Sequence, residues 1–517
     1  MRIQWIAMTA ALAALMTLPA GANQVPTTPT LELSLADAVE MAAERNLGIR
    51  LQATSLDVAR QARRAVWAQY HPTFAIDLSY SPAMDHALQK VAGSQLESLY
   101  RNYNLTANSS LTNRFVTGTE VSVTWYHLSS RSERIKDEFQ ELLETISGIS
   151  DPITTSFSAS GAIQVRQNLL KGMGPWYNLG PVRQSRLSEN SEEIAYDAQV
   201  SDVLGSVVKA YFELAYAQRA VEIAELSLEL AAGQREVTQA RIQAGDLAPI
   251  ELMKLDETVA TRQQELLEAN MSVRRAEITL RSLLSSEPRG ELSSVRIRAV
   301  QSPDSAPIPR RELDASLETA LLRNPELRRQ ELDLQGREIG FRMARQDLLP
   351  TLDMTGSLAL NGVGETSPEG LEDAFSGNHP YWTFGIQLTV PLTNRAAESD
   401  FRSRKAEVEA SLLTLKSLQE STLAEVETTH TQILSYEEQI RVARTRVMLA
   451  EQNVEAEQAR YAAGKSTIRE VLEVQKSLRD AQLAAIRAEI NALAARVDLE
   501  LQRGTLLETF GIHEIAG

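Results

Sequence analysis

The chain has 517 residues, a formal net charge of −16, 5% aromatic residues and no cysteine. Its negative charge argues against nucleic acid or an anionic lipid surface as a partner. Without cysteine it can form no disulfide bond, and it has no thiol on which a lipoprotein anchor could be built.

The N-terminal segment has the pattern of a secretory signal. A single arginine precedes an apolar run from Ile3 to Leu18, and a small-residue cleavage pattern ends at Ala22. The apolar run is shorter than the ~20 residues that a membrane-spanning helix needs, which disfavours the alternative of a retained anchor. We therefore expect a signal peptide over residues 1–22 and an exported mature chain.

The chain contains an internal duplication. Residues 35–73 align with residues 313–351 at a constant offset of 278 without a gap. We therefore expect two structural repeats, 23–310 and 311–517, neither of which is a complete fold alone.

Each repeat is predicted to run helix, strands, long helix, turn and return helix. The first repeat contains helix 34–70, strands and loops 73–170, long helix 180–243, return helix 247–286 and a connector over 287–310. The second contains helix 312–349, strands 351–393, long helix 395–463 and return helix 466–508. Pro72 and Pro350 mark the junctions between helix and strand, because proline ends a helix and favours extended backbone.

The predicted strands alternate apolar and polar residues. Phe74, Ile76 and Leu78 share one face of the first strand, and Val121, Val123 and Trp125 share one face of a later strand. This alternation is typical of a lipid-facing strand, although a soluble sandwich with one wet face would produce it as well.

Aromatic pairs at strand ends favour the membrane interpretation. The first repeat has a surplus segment that looks like an extra hairpin near 103–128. The pattern leaves open whether this hairpin joins the wall of strands or projects beyond it.

The longest helices have the rhythm of a coiled coil. Residues 182–243 contain no proline, and residues 395–463 contain neither proline nor glycine. Steps of four and three average 3.5 residues, which predicts coiled-coil packing with a left-handed supercoil. These steps connect Val200, Leu204, Val207, Tyr211, Leu214, Gln218 and Val221 in the first helix, and Thr422, Val426, Thr429, Ile433, Tyr436, Ile440, Ala443, Val447, Ala450 and Val454 in the second.

The sequence carries no recognisable catalytic chemistry. Its six histidines are scattered without ligand spacing, and it has no Gly-x-Ser-x-Gly elbow. The one glycine-rich run, at 172–174, is followed by proline and lacks a third glycine. We therefore expect no enzyme activity, no catalytic residue, no cofactor and no metal site.

Together these features resemble the TolC family of outer-membrane efflux and secretion ducts. The resemblance covers nearly all of the mature chain and depends on the order of several motifs. They are the duplicated helix–proline–strand unit, the joint QNLLKGMGPWYNLGPVRQS, and the two helical turns RIQAGDLAPIELM and RYAAGKSTIREVLEVQKSLRDAQ. The resemblance implies a mainly α fold with β strands. Long helical hairpins would form a periplasmic α-barrel, and a trimer would share one transmembrane β-barrel.

The resemblance also implies a gate at the second helical turn. Gly464 matches the family's turn glycine, and Glu470 and Glu473 match an acidic pair one helical turn apart. Because residues spaced i,i+3 face the same way, three copies would present two acidic rings at the narrowest point. The alternative is that the two carboxylates lie on a solvated helix face.

A latch would accompany the rings. Tyr461 matches the family's gate tyrosine, and Glu251 matches the acid to which it would bond on a neighbouring turn. Ser466 stands where the family has its gate arginine, which leaves Lys465 or Arg469 to substitute.

The expected function is a passive exit duct in the outer membrane of a bacterium. The resemblance implies a homotrimer in outer-membrane lipid, with a periplasmic adaptor and an inner-membrane pump, and no nucleic-acid partner. The adaptor is expected to dock at the turns, through Arg241, Gly245, Arg460, Gly464 and Lys465.

The sequence leaves several choices open. The cargo can be a drug, a metal ion or a protein, carried in an efflux pump or a type I secretion system. The pump can be driven by protons or by ATP. The alternative function is a periplasmic coiled-coil scaffold or binding protein with a soluble β cap.

Overall fold

The structure of the chain is a computed structural model. It describes residues 30–91, 94–135, 154–245, 248–285, 295–301 and 309–511. The predicted signal peptide, 1–22, lies outside the described residues, as does most of the predicted connector, 287–310.

Strands account for the smaller part of the described chain. They are β1 (Thr30–Leu33), β2 (Thr73–Val91), β3 (Ser94–Arg114), β4 (Thr119–Ile135), β5 (Thr154–Asn168), β6 (Arg296–Ala299), β7 (Thr351–Gly364) and β8 (Pro380–Thr389).

Helices make up most of it, so the fold is mainly α with β. They are α1 (Leu35–Arg45), α2 (Leu47–Ala68), α3 (Pro175–Asn178), α4 (Gly180–Gln243), α5 (Ile250–Leu284), α6 (Leu313–Arg323), α7 (Pro325–Asp347), α8 (Ser367–Ser376), α9 (Arg395–Ala462), α10 (Ile468–Gln502) and α11 (Leu506–Thr509). None of the helices in the described ranges is both long enough and apolar enough to cross a membrane.

The chain divides into two compact units. The first, here called the turn unit, takes its described residues from 1–47, 206–306 and 436–494, and the second, the sheet unit, takes them from 48–205, 307–435 and 495–517. Each unit therefore contains segments of both sequence repeats, and the repeats are not the units of packing.

The sheet unit is built on six antiparallel strands in the order β2-β3-β4-β5-β7-β8. Among the residues that the structure describes, each of these strands pairs only with its neighbours in this order. The extra hairpin near 103–128 corresponds to β3 and β4, which occupy interior positions. This segment is therefore part of the sheet that the structure describes.

The structure corrects the two helices predicted before the prolines. The segments 34–70 and 312–349 were each expected to be one helix, but each contains two. The breaks fall at Asn46 and Asn324, which are equivalent positions in the duplication. Both asparagines have extended backbone, with ψ of 128° and 124°.

Each of these asparagines bonds to the end of a return helix. The Asn46 side-chain amide donates to the main-chain oxygen of Leu283 at 2.9 Å, and that of Asn324 donates to the main-chain oxygen of Gln502 at 2.9 Å. An asparagine that bonds to backbone outside its own helix competes with helical pairing, which explains the break.

The region predicted as strands over 351–393 contains a helix as well. Between β7 and β8 the chain forms α8, which packs against the sheet. The ring of Phe375 on α8 stacks on Trp125 of β4, with 5.1 Å between ring centroids. Gly362 of β7 allows this packing, because a Cβ there would lie 2.1 Å from the backbone nitrogen of Ala374.

Most of the predicted coiled-coil positions in the long helices are buried, and the others are half-buried. Val200, Leu204, Val207, Tyr211 and Leu214 of α4 are at most 1% exposed. On α9 the buried positions include Thr422, Val426, Thr429, Ile433 and Ala450. The spacing of four and three residues therefore marks the buried stripe of each helix.

The sequence did not predict the parallel pair β1 and β6, which lies in the turn unit. The buried Tyr211 hydroxyl fixes this pair to α4. It donates to the main-chain oxygen of Leu33 at 2.9 Å and accepts from the backbone N–H groups of Val300 and Gln301 at 3.0 and 3.1 Å.

Candidate functional site

The two helical turns of the turn unit have the backbone conformation that their glycines favour. Gly464 follows α9 with φ +71°, and Gly245 follows α4 with φ +87°. The N–H of Gly464 donates to the oxygen of Tyr461 at 3.0 Å, and the N–H of Lys465 donates to the oxygen of Arg460 at 2.9 Å. Many helices end in this way, with a residue of left-handed backbone conformation whose neighbours bond back to the last turn. Because glycine adopts that conformation without strain, both positions favour glycine.

An apolar cluster joins α5 to α10 beside these turns. Leu255 is completely buried, and Ile468 and Val471 are 5% and 2% exposed. Tyr461 and Leu472 pack against the same cluster. Apolar contact therefore holds α5, the end of α9 and the start of α10 together within one chain.

Arg241 is the residue that the structure brings to Tyr461. Its guanidinium carbon lies 5.5 Å from the centre of the tyrosine ring, a cation–π distance. Glu251 is occupied elsewhere, because its carboxylate accepts from Lys254 Nζ at 2.8 Å. No hydrogen bond between Tyr461 and Glu251 is found in the described chain, and the latch stays a prediction.

Glu470 caps the start of α10. Its carboxylate accepts from the Thr467 backbone N–H at 3.0 Å and from the Ser466 hydroxyl at 2.7 Å. Threonine followed three residues later by glutamate is the sequence pattern of a capping box. The backbone bond from Thr467, aided by the Ser466 hydroxyl, lowers the pKa of this exposed carboxyl.

Glu473 lies one turn further along α10 with its side chain exposed. It forms no hydrogen bond or salt bridge within the part of the chain that the structure describes. The predicted acidic pair thus consists of one carboxylate that caps a helix and one that faces solvent. A ring of either residue requires further copies and stays a prediction.

Glu457 is a residue of this turn that the sequence analysis missed. It is 8% exposed, and Arg460 donates to its carboxylate at 3.0 Å. The Ser466 hydroxyl also contacts Glu457. Ser466 therefore links the end of α9 to the start of α10 through two carboxylates. The spacing Glu457 to Arg460 was a signal for an i,i+3 pair.

A second polar cluster fastens α5 to α10. Arg479 contacts Glu265, which also accepts from Arg262 at 2.8 Å. Burial acts to raise the pKa of Glu265, but the hydrogen bonds from Arg262 and Arg479 outweigh it, and the pKa is lowered. No pattern along the chain predicts the contact between Arg479 and Glu265, because these two residues are 214 positions apart.

The sheet has two chemically different faces. On one face a continuous row of apolar side chains crosses all six strands. Its members are Phe74, Leu111, Val123, Ile163, Leu358 and Trp382. One residue along, the opposite face carries a row of hydroxyl and amide side chains. Its members are Thr73, Thr112, Ser122, Gln164, Ser357 and Thr383.

Both edges of the sheet are open in the described chain. Pro72 and Pro350 stand directly before β2 and β7, as predicted for junctions between helix and strand. The apolar side chains of the edge strands are strongly exposed, among them Leu78 at 72% and Trp382 at 72%. An open sheet edge has unpaired backbone groups, and exposed apolar residues beside it are typical of a surface that binds a partner.

Among the described residues, no three histidine, aspartate or glutamate side chains gather as a metal site would require.

Comparison with known proteins gives consistent matches. A family profile described as outer membrane efflux protein matches residues 146–286 and 316–505. Nodulation protein T of Rhizobium leguminosarum bv. trifolii is 23% identical over 310 residues, which are 58% of this chain and 63% of that protein. The pyoverdine export outer membrane protein OpmQ of Pseudomonas aeruginosa is 27% identical over 299 residues, 57% of this chain and 60% of that protein. The chain thus spans about three-fifths of these relatives.

The fold matches solved structures over nearly the full length. The crystal structure of CusC superposes with a TM-score of 0.66 and 15% identity, covering 92% of this chain and 93% of that one. At this identity the similarity concerns the fold alone.

Proposed function

The chain belongs to the outer membrane efflux protein family, and on that basis we propose that three copies assemble into an exit duct in the outer membrane. It is an export protein rather than an enzyme. In the proposed duct the strands cross the membrane, and the long helices extend the passage into the periplasm. Cargo would enter from an inner-membrane pump and leave the cell without further input of energy.

The two-faced sheet with open edges carries this proposal. Its apolar row suits contact with lipid, and its polar row suits a water-filled passage. The open edges of β2 and β8 leave backbone groups unpaired, which a strand from another copy would satisfy. Three copies would thus complete a wall that one copy begins.

The helical turns are the proposed docking surface for the periplasmic adaptor. Gly245, Arg460, Gly464 and Lys465 are exposed, and Arg241 is half-buried. Because the chain contains no native cysteine, Lys465→Cys would give one defined attachment point for a crosslinker. We expect it to capture an adaptor in whole cells, whereas Glu425→Cys on the exposed surface of α9 should not.

Fractionation of cells tests the duct itself. We expect the protein to require detergent for release from outer membranes, to run as a trimer and to conduct ions across planar bilayers. A monomer found in the aqueous periplasmic fraction, with no conductance, would instead support the scaffold function.

Multivalent cations test the proposed acidic rings. If Glu470 and Glu473 from three copies surround the passage, cations added at the turn end should block the current, and Glu470→Gln with Glu473→Gln should abolish the block. Glu451→Gln with Glu455→Gln is the matched control, because it removes two exposed carboxylates from the preceding helix. Block that survives in the first double variant would rule the rings out.

The proposed latch has its own test. Removing the Tyr461 hydroxyl and the Glu251 carboxylate together, by Tyr461→Phe with Glu251→Ala, should raise single-channel conductance. Unchanged conductance would exclude a latch between these two residues.

A further inference from the structure

The hairpin of β3 and β4 is built into the interior of the sheet. β3 pairs with β2 from Thr73↔Thr112 to Val91↔Ser94, and β4 pairs with β5 from Thr119↔Gln167 to Ser132↔Thr154. Through these ladders the hairpin separates β2 from β5 over most of their length. A projecting hairpin would instead leave β2 beside β5.

The turn of this hairpin is also bonded to the joint between β5 and α4. The Gly174 N–H donates to the main-chain oxygen of Thr117 at 3.0 Å, and the Asn168 N–H donates to that of Gly118 at 3.4 Å. Gly118 has φ +86°, and a Cβ there would lie 2.6 Å from the oxygen of Gly172. The turn therefore fits closely against the joint, as expected for a hairpin that is part of the sheet rather than one that projects from it.

The outermost strands are arranged so that copies can join edge to edge. Successive strands in the sheet are antiparallel, so with six strands β2 and β8 run in opposite directions. Every residue of β8 except Gly385 is exposed, as is every residue of β2 from Thr73 to Asp85. When β8 of one copy lies beside β2 of the next, the contact is antiparallel like every other in the sheet. Such head-to-tail contacts close into a ring when the rotation allows it.

We propose that each chain contributes all six strands to the wall of the assembled duct, with β8 of one copy paired to β2 of the next. This inference depends on the proposed trimeric duct and specifies its membrane end. Six strands from each of three copies make eighteen. Walls of 16–18 strands leave an aqueous channel, whereas about eight strands leave room only for side chains or one small ligand.

The number of strands sets the width of the passage. With strands ~4.8 Å apart and tilted by ~40°, eighteen strands enclose a backbone cylinder about 36 Å across. Without the hairpin the twelve remaining strands would enclose about 24 Å. The inference therefore assigns to this duct a membrane end wide enough for large hydrated solutes.

Engineered disulfides distinguish a hairpin inside the wall from a projecting hairpin. Because the chain contains no native cysteine, only the introduced cysteines can form disulfides. Directly paired residues on neighbouring strands have Cα atoms about 4.5–5.5 Å apart, within the range that a disulfide bridges. Thr73→Cys with Thr112→Cys, and Ser122→Cys with Gln164→Cys, should therefore form bonds within each chain of the native trimer. Thr112→Cys with Ser122→Cys joins β3 to β4 in either arrangement and controls for oxidation.

The combination Thr73→Cys with Gln164→Cys is decisive. The inference places these residues three strands apart, about 14 Å, so no bond within the chain should form. A Thr73–Gln164 disulfide in trimers that conduct ions would overturn the inference and leave the duct intact. The inference would also be overturned if neither the Thr73–Thr112 nor the Ser122–Gln164 disulfide formed while the control disulfide did. Loss of the trimer or of conductance in the unmodified protein would instead refute the proposed duct.

A second measurement tests the junction between copies. Thr73→Cys on β2 is combined in turn with cysteine at Tyr381, Thr383 or Gln387 on β8, all on the polar face. At least one combination should give covalently linked trimers on a denaturing gel, whereas Leu412→Cys on α9 should give none with Thr73→Cys. Absence of linked chains in every β8 combination would exclude closure through these edges.

Discussion

The carboxylate of Glu470 caps a helix and also supplies negative charge, and a glutamine separates these roles. Glu470→Gln keeps an oxygen acceptor for the Thr467 N–H, whereas Glu470→Ala removes it. We expect hydrogen exchange at the Thr467 amide to accelerate in the alanine variant and to change little in the glutamine variant. Equal acceleration in both would mean that charge, rather than the bond, holds the turn.

The pH dependence of this cap follows from its lowered pKa. A carboxyl whose pKa is lower in the folded chain contributes stability that is full above its ordinary pKa, about 4.3, and is lost as pH falls through the lowered value. Protection of the Thr467 amide, corrected for intrinsic exchange, should therefore fall on the acid side in the native protein. In Glu470→Gln the same protection should stay flat, since the amide does not titrate.

Arg241 and the Tyr461 ring form a contact whose strength can be measured by a mutant cycle. A cation–π contact of about 0.5–1 kcal/mol corresponds to roughly a two- to fivefold change in an equilibrium. If the contact holds the turn closed, Arg241→Ala should raise the open fraction in planar bilayers by that factor. The effect should be the same in a Tyr461→Phe background, because the ring is kept, and absent in Tyr461→Leu. Persistence in the leucine background would assign the effect of Arg241 to another partner.

At the level of single residues the sequence predicted the turns better than their contacts. Gly245 and Gly464 could be identified because a left-handed helix end selects glycine locally. The contact between Arg241 and Tyr461 depends on how helices from the two repeats approach each other. No spacing along the chain encodes that approach, and the same holds for the pair Glu265 and Arg479.

Among the elements, α8 provides the sharpest test of packing. Gly362→Ala would place a Cβ against the α8 backbone, which cannot move aside as a flexible side chain can. We expect α8 to be displaced at a cost of about 1–3 kcal/mol and its amides to exchange faster. Gly356→Ala is the control on the same strand, because a Cβ there meets no atom within 4 Å. Unchanged exchange in Gly362→Ala would show that α8 does not lie tightly on the sheet.

The sequence carried local signals for α8 that the strand pattern concealed. Thr366 is followed three residues later by Glu369, which accepts from the Thr366 N–H at 3.2 Å, and Gly377 ends the helix with φ +69°. The breaks at Asn46 and Asn324, which the duplication aligned, were missed for a different reason. A long run of helix formers hides a break of one residue, because the break depends on a distant acceptor.

For the whole molecule, the proposal that one sheet face meets lipid can be tested with two adjacent residues. Ile163 and Gln164 are neighbours on β5, both exposed, and they point to opposite faces. An arginine facing lipid near the bilayer midplane costs about 2–4 kcal/mol, whereas the polar face already holds Arg166, bound to Asp353 at 2.5 Å.

We therefore expect Ile163→Arg to reduce the amount of trimer recovered from outer membranes strongly, and Gln164→Arg to leave it nearly unchanged. Immunoblots of unheated outer-membrane samples measure both. Equal loss in the two variants would argue against lipid contact on the apolar face.

At this scale the sequence predicted the parts of the fold but not how they pack. Duplication, coiled-coil rhythm and the prolines identified the order of elements in each repeat. Their division into a turn unit and a sheet unit could not be foreseen, because every unit combines segments from both repeats. The position of β3 and β4 inside the sheet also depends on pairing between distant segments, which alternation alone does not specify.

The alternating direction of the strands has an evolutionary consequence. A hairpin leaves and returns at the same rim of the sheet. A lineage can therefore gain one by a single in-frame insertion, or lose one by a single in-frame deletion, while every helix keeps its point of attachment. An odd strand would reverse the polarity of all that follow. Pore calibre in such proteins should therefore diversify in discrete, two-strand steps, with intermediate sizes missing from the natural repertoire.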